Sequence, residues 1–277
     1  MLELPEVLNI SKQLREHVNG KKVVRVLPPT KPHKFCWFNG EPTAYEQVIK
    51  GSKIISAEGF GIFVEIGFEN GYKLCFNDGV NIRLMSENEK PKDFQLLIAL
   101  EDGQILVFTV AMYGGIFLHD GSYDNEYYLK SKQGLLPMSQ EFLAHYYRIL
   151  EESKGTLSAK ALLATEQRFP GIGNGTAQDI LFKAGLHPKR KISTFSQEDK
   201  ERLLESIKAV VLEMIEAGGR DTEKNIFGNK GGYQVKMSKE GMKRGCPNCG
   251  GEITKETYLG GSIYYCSQCQ PLIKEEK

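Results

Sequence analysis

Four cysteines near the carboxyl end constrain this chain more than any other feature. Cys246-Pro-Asn-Cys249 and Cys266-Ser-Gln-Cys269 form two CxxC knuckles separated by 16 residues. Two knuckles at this spacing bring four thiolates around one tetrahedral ion, and the softness of sulfur selects zinc. Neighbours such as Met242, Lys243, Gly250 and Gly251 offer too little apolar surface to fold unaided, so the metal is expected to hold the hairpin together. Four thiolates leave no open coordination position, and the expected role of this single Zn2+ is structural. The amino terminus, MLELPEVLN, carries no basic and apolar leader. That predicts a cytoplasmic chain and argues against a disulfide framework. Cys36 and Cys75 fall in strand-like segments and read as buried apolar residues.

The remaining 240-odd residues divide by texture. Pro5 suits a first helical position, and Val7, Ile10, Leu14 and Val18 then draw one apolar stripe that Gly20 ends. From about 22 to 127, β-branched and aromatic runs (KVVRV, KIISAEGFGIFVEIGF, YKLCFN, QILVFTV) alternate with Asn-Gly and Asp-Gly turn signals. Helical periodicity follows over 139–153, 158–166, 175–184 and 197–217. The predicted class is α+β multidomain: an amino-terminal helix plus β-sandwich (1–130), a helical domain (131–240) and a cysteine hairpin (241–277). No apolar run is long enough to span a bilayer, and nothing in the sequence asks for more than a monomer.

The net charge of +1 is uninformative, but its distribution is not. Residues 155–192 hold Lys160, Arg168, Lys183, Lys189, Arg190 and Lys191 against Glu166 and Asp179, and 230–244 hold five cations against Glu240. Such clustering fits either a phosphate-binding face or an ordinary solvated surface.

Three motifs in order narrow the choice. The start Glu3-Leu-Pro-Glu6-Val7, the stretch Pro170-Gly171-Ile-Gly173-Asn174 with Ala177-Gln-Asp-Ile-Leu-Phe-Lys-Ala-Gly-Leu-His187-Pro188, and the tail CPNCGG…YYCSQCQ together resemble the formamidopyrimidine-DNA glycosylase and endonuclease VIII family over essentially the whole chain. The resemblance implies a helix–two-turn–helix domain, a terminal zinc finger, and a partner in double-stranded DNA, damaged or abasic. It also implies base-excision chemistry in which the terminal amine forms a Schiff base at the sugar. Glu3 matches a carboxylate that moves protons at the ribose, and Glu6 a supporting one; both equally suit the positive end of a helix dipole. Lys160 matches a lysine near the lesion and its flanking phosphate. Gly171 and Gly173 allow a turn whose backbone approaches a phosphate, with the Asn174 amide donating to it; Asn174 also reads as a plain helix cap.

The chain departs from that family at several places. Its second residue is Leu2, too bulky for efficient removal of the initiator, so Met1 is expected to stay and to present the terminal amine. The family's lysine on the strand hairpin falls near Phe60 or Gly61, where none occurs, and the finger arginine five residues before the third cysteine is Gly261. The residues that fill the gap left by a flipped base align with Gly79 and with Met112-Tyr113-Gly114; Met112 and Tyr113 read as a wedge or as core packing. Two functional readings follow. One is a DNA glycosylase and abasic-site lyase using Met1 or Leu2, Glu3 and Glu6. The other is a weak or inactive binder of lesion-containing DNA on the same scaffold.

Overall fold

The computed structural model describes residues 1–77 and 79–273. Its elements run in chain order as helix α1 (Leu4–Val18), strands β1 (Val23–Leu27) and β2 (Cys36–Phe38), and helix α2 (Tyr45–Ile49). Strands β3 (Ile54–Phe60), β4 (Phe63–Phe68), β5 (Lys73–Phe76), β6 (Val80–Ser86), β7 (Leu96–Leu100), β8 (Gln104–Val110) and β9 (Gly114–His119) follow. Helices α3 (Glu126–Lys132), α4 (Phe142–Glu152), α5 (Ala159–Ala164), α6 (Asn174–Lys183), α7 (Gln197–Glu216) and α8 (Lys239–Arg244) precede the hairpin strands β10 (Thr254–Tyr258) and β11 (Gly261–Tyr265). Two units emerge. Unit 1 is Met1–Lys132 with Gly218–Gly232, and unit 2 is Gln133–Ala217 with Tyr233 onward. Residues 218–232, which the sequence reading put in the helical domain, keep their contacts within unit 1. No helix among the described residues is long and apolar enough to cross a membrane.

In unit 1, one sheet has the order β1-β7-β8-β6 and the other β2-β9-β5-β4-β3. One core cluster joins them. Leu106 and Phe108 of the first sheet share it with Ile66, Leu74 and Phe76 of the second, and the Phe76 and Phe108 rings meet edge to face at 5.3 Å. The predicted stripe of α1 (Val7, Ile10, Leu14, Val18) enters the same core, at most 1% exposed. Cys75 is buried as expected, whereas Cys36, on the edge strand β2, is only partly covered. Alternate residues of β7 and β8 (Leu97, Ala99, Ile105, Val107) bury a second cluster with Phe94 on the opposite face. Both faces being covered, β7 reads as the unbroken apolar run LLIAL and lacks the alternation that marks a half-exposed strand.

In unit 2, α5 and α6 are the two helices of a helix–two-turn–helix. The connection needs left-handed backbone at Glu166, Gln167 and Gly171 (φ 58°, 52° and 88°), which only glycine adopts without strain. Arg168 stops α5: its Nη1 donates to the Ala161 and Thr165 carbonyls, each at 3.2 Å, the usual service of a cation at a helix carboxyl end. The hairpin β10–β11 closes through Leu259 and Gly260, both left-handed (φ 49° and 71°), as a two-residue turn between right-twisted strands requires. Phe182 of α6 and Met237 pack with Cys246, Ile253 and Cys266, seating the hairpin.

Candidate active site and nucleic-acid interface

The amino terminus of unit 1 is built around a buried arginine. Glu3 and Glu6 form a reciprocal capping box on α1, with the Glu3 N–H donating to Glu6 Oε2 at 3.0 Å. Arg220 then clamps both acids: Nη1 lies 3.1 Å from Glu3 Oε1, Nη2 2.7 Å from Glu6 Oε2 and Nε 3.1 Å from Glu6 Oε1. Its backbone N–H donates to Glu6 Oε1 at 2.9 Å as well. The preceding Gly219 takes φ 101°, and a Cβ there would stand 3.3 Å from Glu6 Oε1, so the chain needs glycine to bring Arg220 this close. Burial works against the guanidinium charge, but the two glutamates more than offset it and raise its pKa.

The same arginine fixes the chain end. Arg220 Nη2 donates to the Met1 carbonyl at 3.0 Å, and the Met1 ammonium lies 2.8 Å from Glu223 Oε2. Leu2 is 3% exposed and belongs to the core, so its side chain takes no part in the site. Met1 is half exposed and borders a cavity of about 140 Å³ with Gly79, Asn81, Ala111, Met112 and Tyr113. Tyr113 Oη donates to Met1 Sδ at 2.9 Å. Met112 is 70% exposed, which rules out core packing. At the hairpin of β3 and β4, where no lysine occurs in sequence, Lys132 of α3 sits 4.5 Å from the Phe60 ring centroid. That cation is already committed. Its Nζ lies 2.8 Å from Glu65, a buried carboxylate that also receives the Tyr128 hydroxyl at 2.5 Å.

In unit 2 the expected DNA-contacting residues converge beneath the cysteine hairpin. Gly173 is the N-cap of α6 (φ −93°, ψ −173°) and Asn174 its first residue, so Asn174 does not act as the cap itself. Asn174 Nδ2 donates to the Ser262 carbonyl at 3.0 Å, and Lys160 Nζ to the Tyr258 carbonyl at 2.7 Å. These carbonyls flank Gly261, where a Cβ would stand 3.6 Å from Lys160 Nζ and 3.9 Å from Asn174 Nδ2. Each donor is only partly used, since an ammonium carries three N–H bonds and an amide nitrogen two. Lys160 is buried with no carboxylate within ion-pair distance among the described residues, and burial lowers its pKa.

Acidic side chains, several from later in the chain, neutralise most of the rest of the basic stretch. Lys183 meets Glu213 at 2.8 Å, Arg190 meets Asp199 at 2.5 Å, Arg168 meets Glu166 at 2.6 Å, and Lys189 pairs with Glu256. Lys191 donates to the Thr156 carbonyl. Composition therefore overstates the patch, and the unbalanced buried cation is Lys160.

The sulfur atoms of Cys246, Cys249, Cys266 and Cys269 all lie within 4.8 Å of one another. The Cys246–Cys269 and Cys249–Cys266 pairs are 3.7 and 3.5 Å apart. A tetrahedron with Zn–S bonds of about 2.3 Å has edges of about 3.8 Å, whereas a disulfide needs about 2.05 Å. The four cysteines fit one ion.

Neither Arg220 nor Glu223 was marked by the sequence. Gly218-Gly219-Arg220-Asp221 after a long helix reads as a turn, and a pairing that spans 214 positions has no local signature. The one available signal was a Gly-Gly step, which announces a close backbone approach without naming its partner.

Family models of known proteins cover most of the chain. The formamidopyrimidine-DNA glycosylase N-terminal domain matches residues 1–125, and the formamidopyrimidine-DNA glycosylase H2TH domain matches 134–225. The chain belongs to the formamidopyrimidine-DNA glycosylase family. As a member it is 28% identical to the formamidopyrimidine-DNA glycosylases of Thermus thermophilus and Heliobacterium modesticaldum, over 98% of its own length and 98% and 100% of theirs. Its fold matches the crystal structure of the MutM (Fpg) protein from Thermus thermophilus with a TM-score of 0.81 at 24% identity, covering 98% and 100% of the two chains. It also matches the Lactococcus lactis Fpg in complex with abasic-site DNA, at 0.83 and 21%, covering 97% and 99%.

Proposed function

We propose that this protein is a base-excision DNA glycosylase with abasic-site lyase activity, acting on damaged or abasic double-stranded DNA through the α-amine of Met1. The observation that carries the reading is the held terminus. Arg220 grips the Met1 carbonyl, Glu223 holds the amine, and Met1 lines a 140 Å³ cavity that gives an extruded nucleotide a place to enter. A primary amine at such a point adds to the C1′ aldehyde of an opened sugar and forms an imine. Glu3, fixed by Arg220, is the carboxylate for proton transfer at the sugar, and Glu6 supports it by anchoring Arg220. Met112 serves as the wedge that fills the vacated stack.

Lys160, Asn174 and the turn of Gly171 and Gly173 bind the sugar–phosphate chain. A buried ammonium lacking a carboxylate gains its counter-charge from a phosphate oxygen, and a contact of this kind positions DNA without reading sequence. Cys246, Cys249, Cys266 and Cys269 hold one Zn2+, whose contribution is to fold the hairpin that carries the Tyr258 and Ser262 carbonyls; it supplies no step of the reaction.

Borohydride reduction in the presence of a duplex with one abasic site tests the reading. An adduct whose mass localises to the Met1 peptide is the expected result. Binding of the duplex without any trapped adduct between pH 6 and 9 would leave a lesion binder in place of the enzyme.

A further inference from the structure

Three carboxylates surround the chain end, and they are not equivalent. Both oxygens of Glu6 are occupied by Arg220 and by the Glu3 backbone N–H. Glu3 Oε1 faces Arg220 Nη1 and the side chain also caps α1. Glu223 lies at the Met1 ammonium, 2.8 Å away, with a side chain one-fifth exposed. Its position is not a matter of chance rotamers. Arg220, three residues earlier, is welded to α1 through Glu6, and the Glu223 N–H donates to the Arg220 carbonyl at 3.1 Å, closing a tight turn. The loop and the terminus are thus registered on one another at two points, the Met1 carbonyl and the Met1 nitrogen.

We propose that Glu223 is the acid–base residue for the Met1 amine. This assignment rests on the lyase reading above. The ammonium must lose a proton before its lone pair can attack, and the carboxylate in contact with it is the acceptor. The amine then adds to the C1′ aldehyde of the abasic sugar, and an N–H proton passes to the former carbonyl oxygen to give a carbinolamine. Glu223, now a carboxylic acid, protonates that hydroxyl; the C–O bond breaks, water leaves, and the nitrogen lone pair closes the protonated imine. The sum is ammonium plus aldehyde giving iminium plus water, with Glu223 returned to carboxylate. Burial raises the Glu223 pKa against the opposing pull of the ammonium, so the carboxylate accepts a proton more readily than an exposed one would.

The test is single-turnover borohydride trapping on abasic duplex, from pH 6 to 9, with wild type, Glu223→Gln and Glu223→Asp. Duplex affinity and thermal midpoint are measured on the same samples. Glu223→Gln is expected to trap on the order of 10²-fold more slowly at pH 7 and to recover towards wild type as the pH rises and solvent removes the proton unaided. Its duplex affinity should stay within about twofold of wild type. Glu223→Asp keeps the charge but shortens the reach by one methylene, and should fall between the two. If Glu223→Gln does not fold, Glu223→Asp decides: wild-type rate and pH profile in that variant would overturn the assignment. So would an unchanged rate and profile in a folded Glu223→Gln, with the lyase reading left standing. Failure of the wild type itself to trap would instead remove the lyase reading, and this one with it.

Discussion

The two units treat charge in opposite ways. In unit 1 the cation is over-supplied with anions: Arg220 sits between Glu3 and Glu6, fully buried and fully paired. In unit 2 the buried cation Lys160 meets only backbone carbonyl among the described residues, although acidic side chains neutralise most cations near it in sequence. The first arrangement fixes geometry, because removing one partner strands the others. The second leaves a charge to be completed from outside. A protein that must hold a nucleophile still and also bind an anion reversibly needs both.

Metal removal breaks the comparison most severely. The hairpin of β10 and β11 provides the carbonyls that hold Lys160 and Asn174, and structural zinc contributes on the order of 10 kcal/mol to the folding of small modules. Chelation, or Cys246→Ser, should release one zinc per chain in a colorimetric assay and abolish duplex binding, while leaving the fluorescence-monitored unfolding of unit 1 nearly unchanged. Next in size is Arg220→Met. It removes the guanidinium that pairs with buried Glu3 and Glu6 and should cost about 3–5 kcal/mol in urea unfolding. Lys160→Met, by contrast, loses one hydrogen bond to a carbonyl and should cost about 1 kcal/mol or less of stability. If the two substitutions destabilise equally, the contrast between the units is wrong. The smallest and most specific effect is on DNA affinity. Lys160→Met and Asn174→Ala should weaken duplex binding uniformly across sequences, and Lys160→Met should reduce the salt slope by about one. Wild-type affinity in both would move the phosphate site elsewhere.

How far the sequence foresaw this follows the same division. The cysteine module, the Gly171–Asn174 turn and the stripe of α1 are local patterns, set by spacing alone, and each is where its spacing put it. Strands β6 and β9 were not singled out, and β7 has no alternation to detect because it is covered on both faces. The function of the glutamates was legible as far as their type and position. What fixes them was not, since Arg220 is more than 200 residues away in sequence and sits in a segment that looks like an ordinary turn. Charge clustering left its two readings open for a related reason. Counting Lys and Arg between 155 and 192 cannot reveal that Glu213 and Glu256 return from later in the chain to neutralise two of them.

The Arg220 clasp also sets a timetable. Glu6 precedes Arg220 by 214 positions, so the side chain that neutralises it emerges some ten to forty seconds later at ~5–20 residues per second of synthesis. Until then two carboxylates stand where the finished structure has no water to offer, and the sheet-bearing unit waits for a loop translated after most of the helices. The contacts that fix Glu3 and Glu6 therefore close only after helices α1 to α7 have been made, and before the cysteine hairpin is.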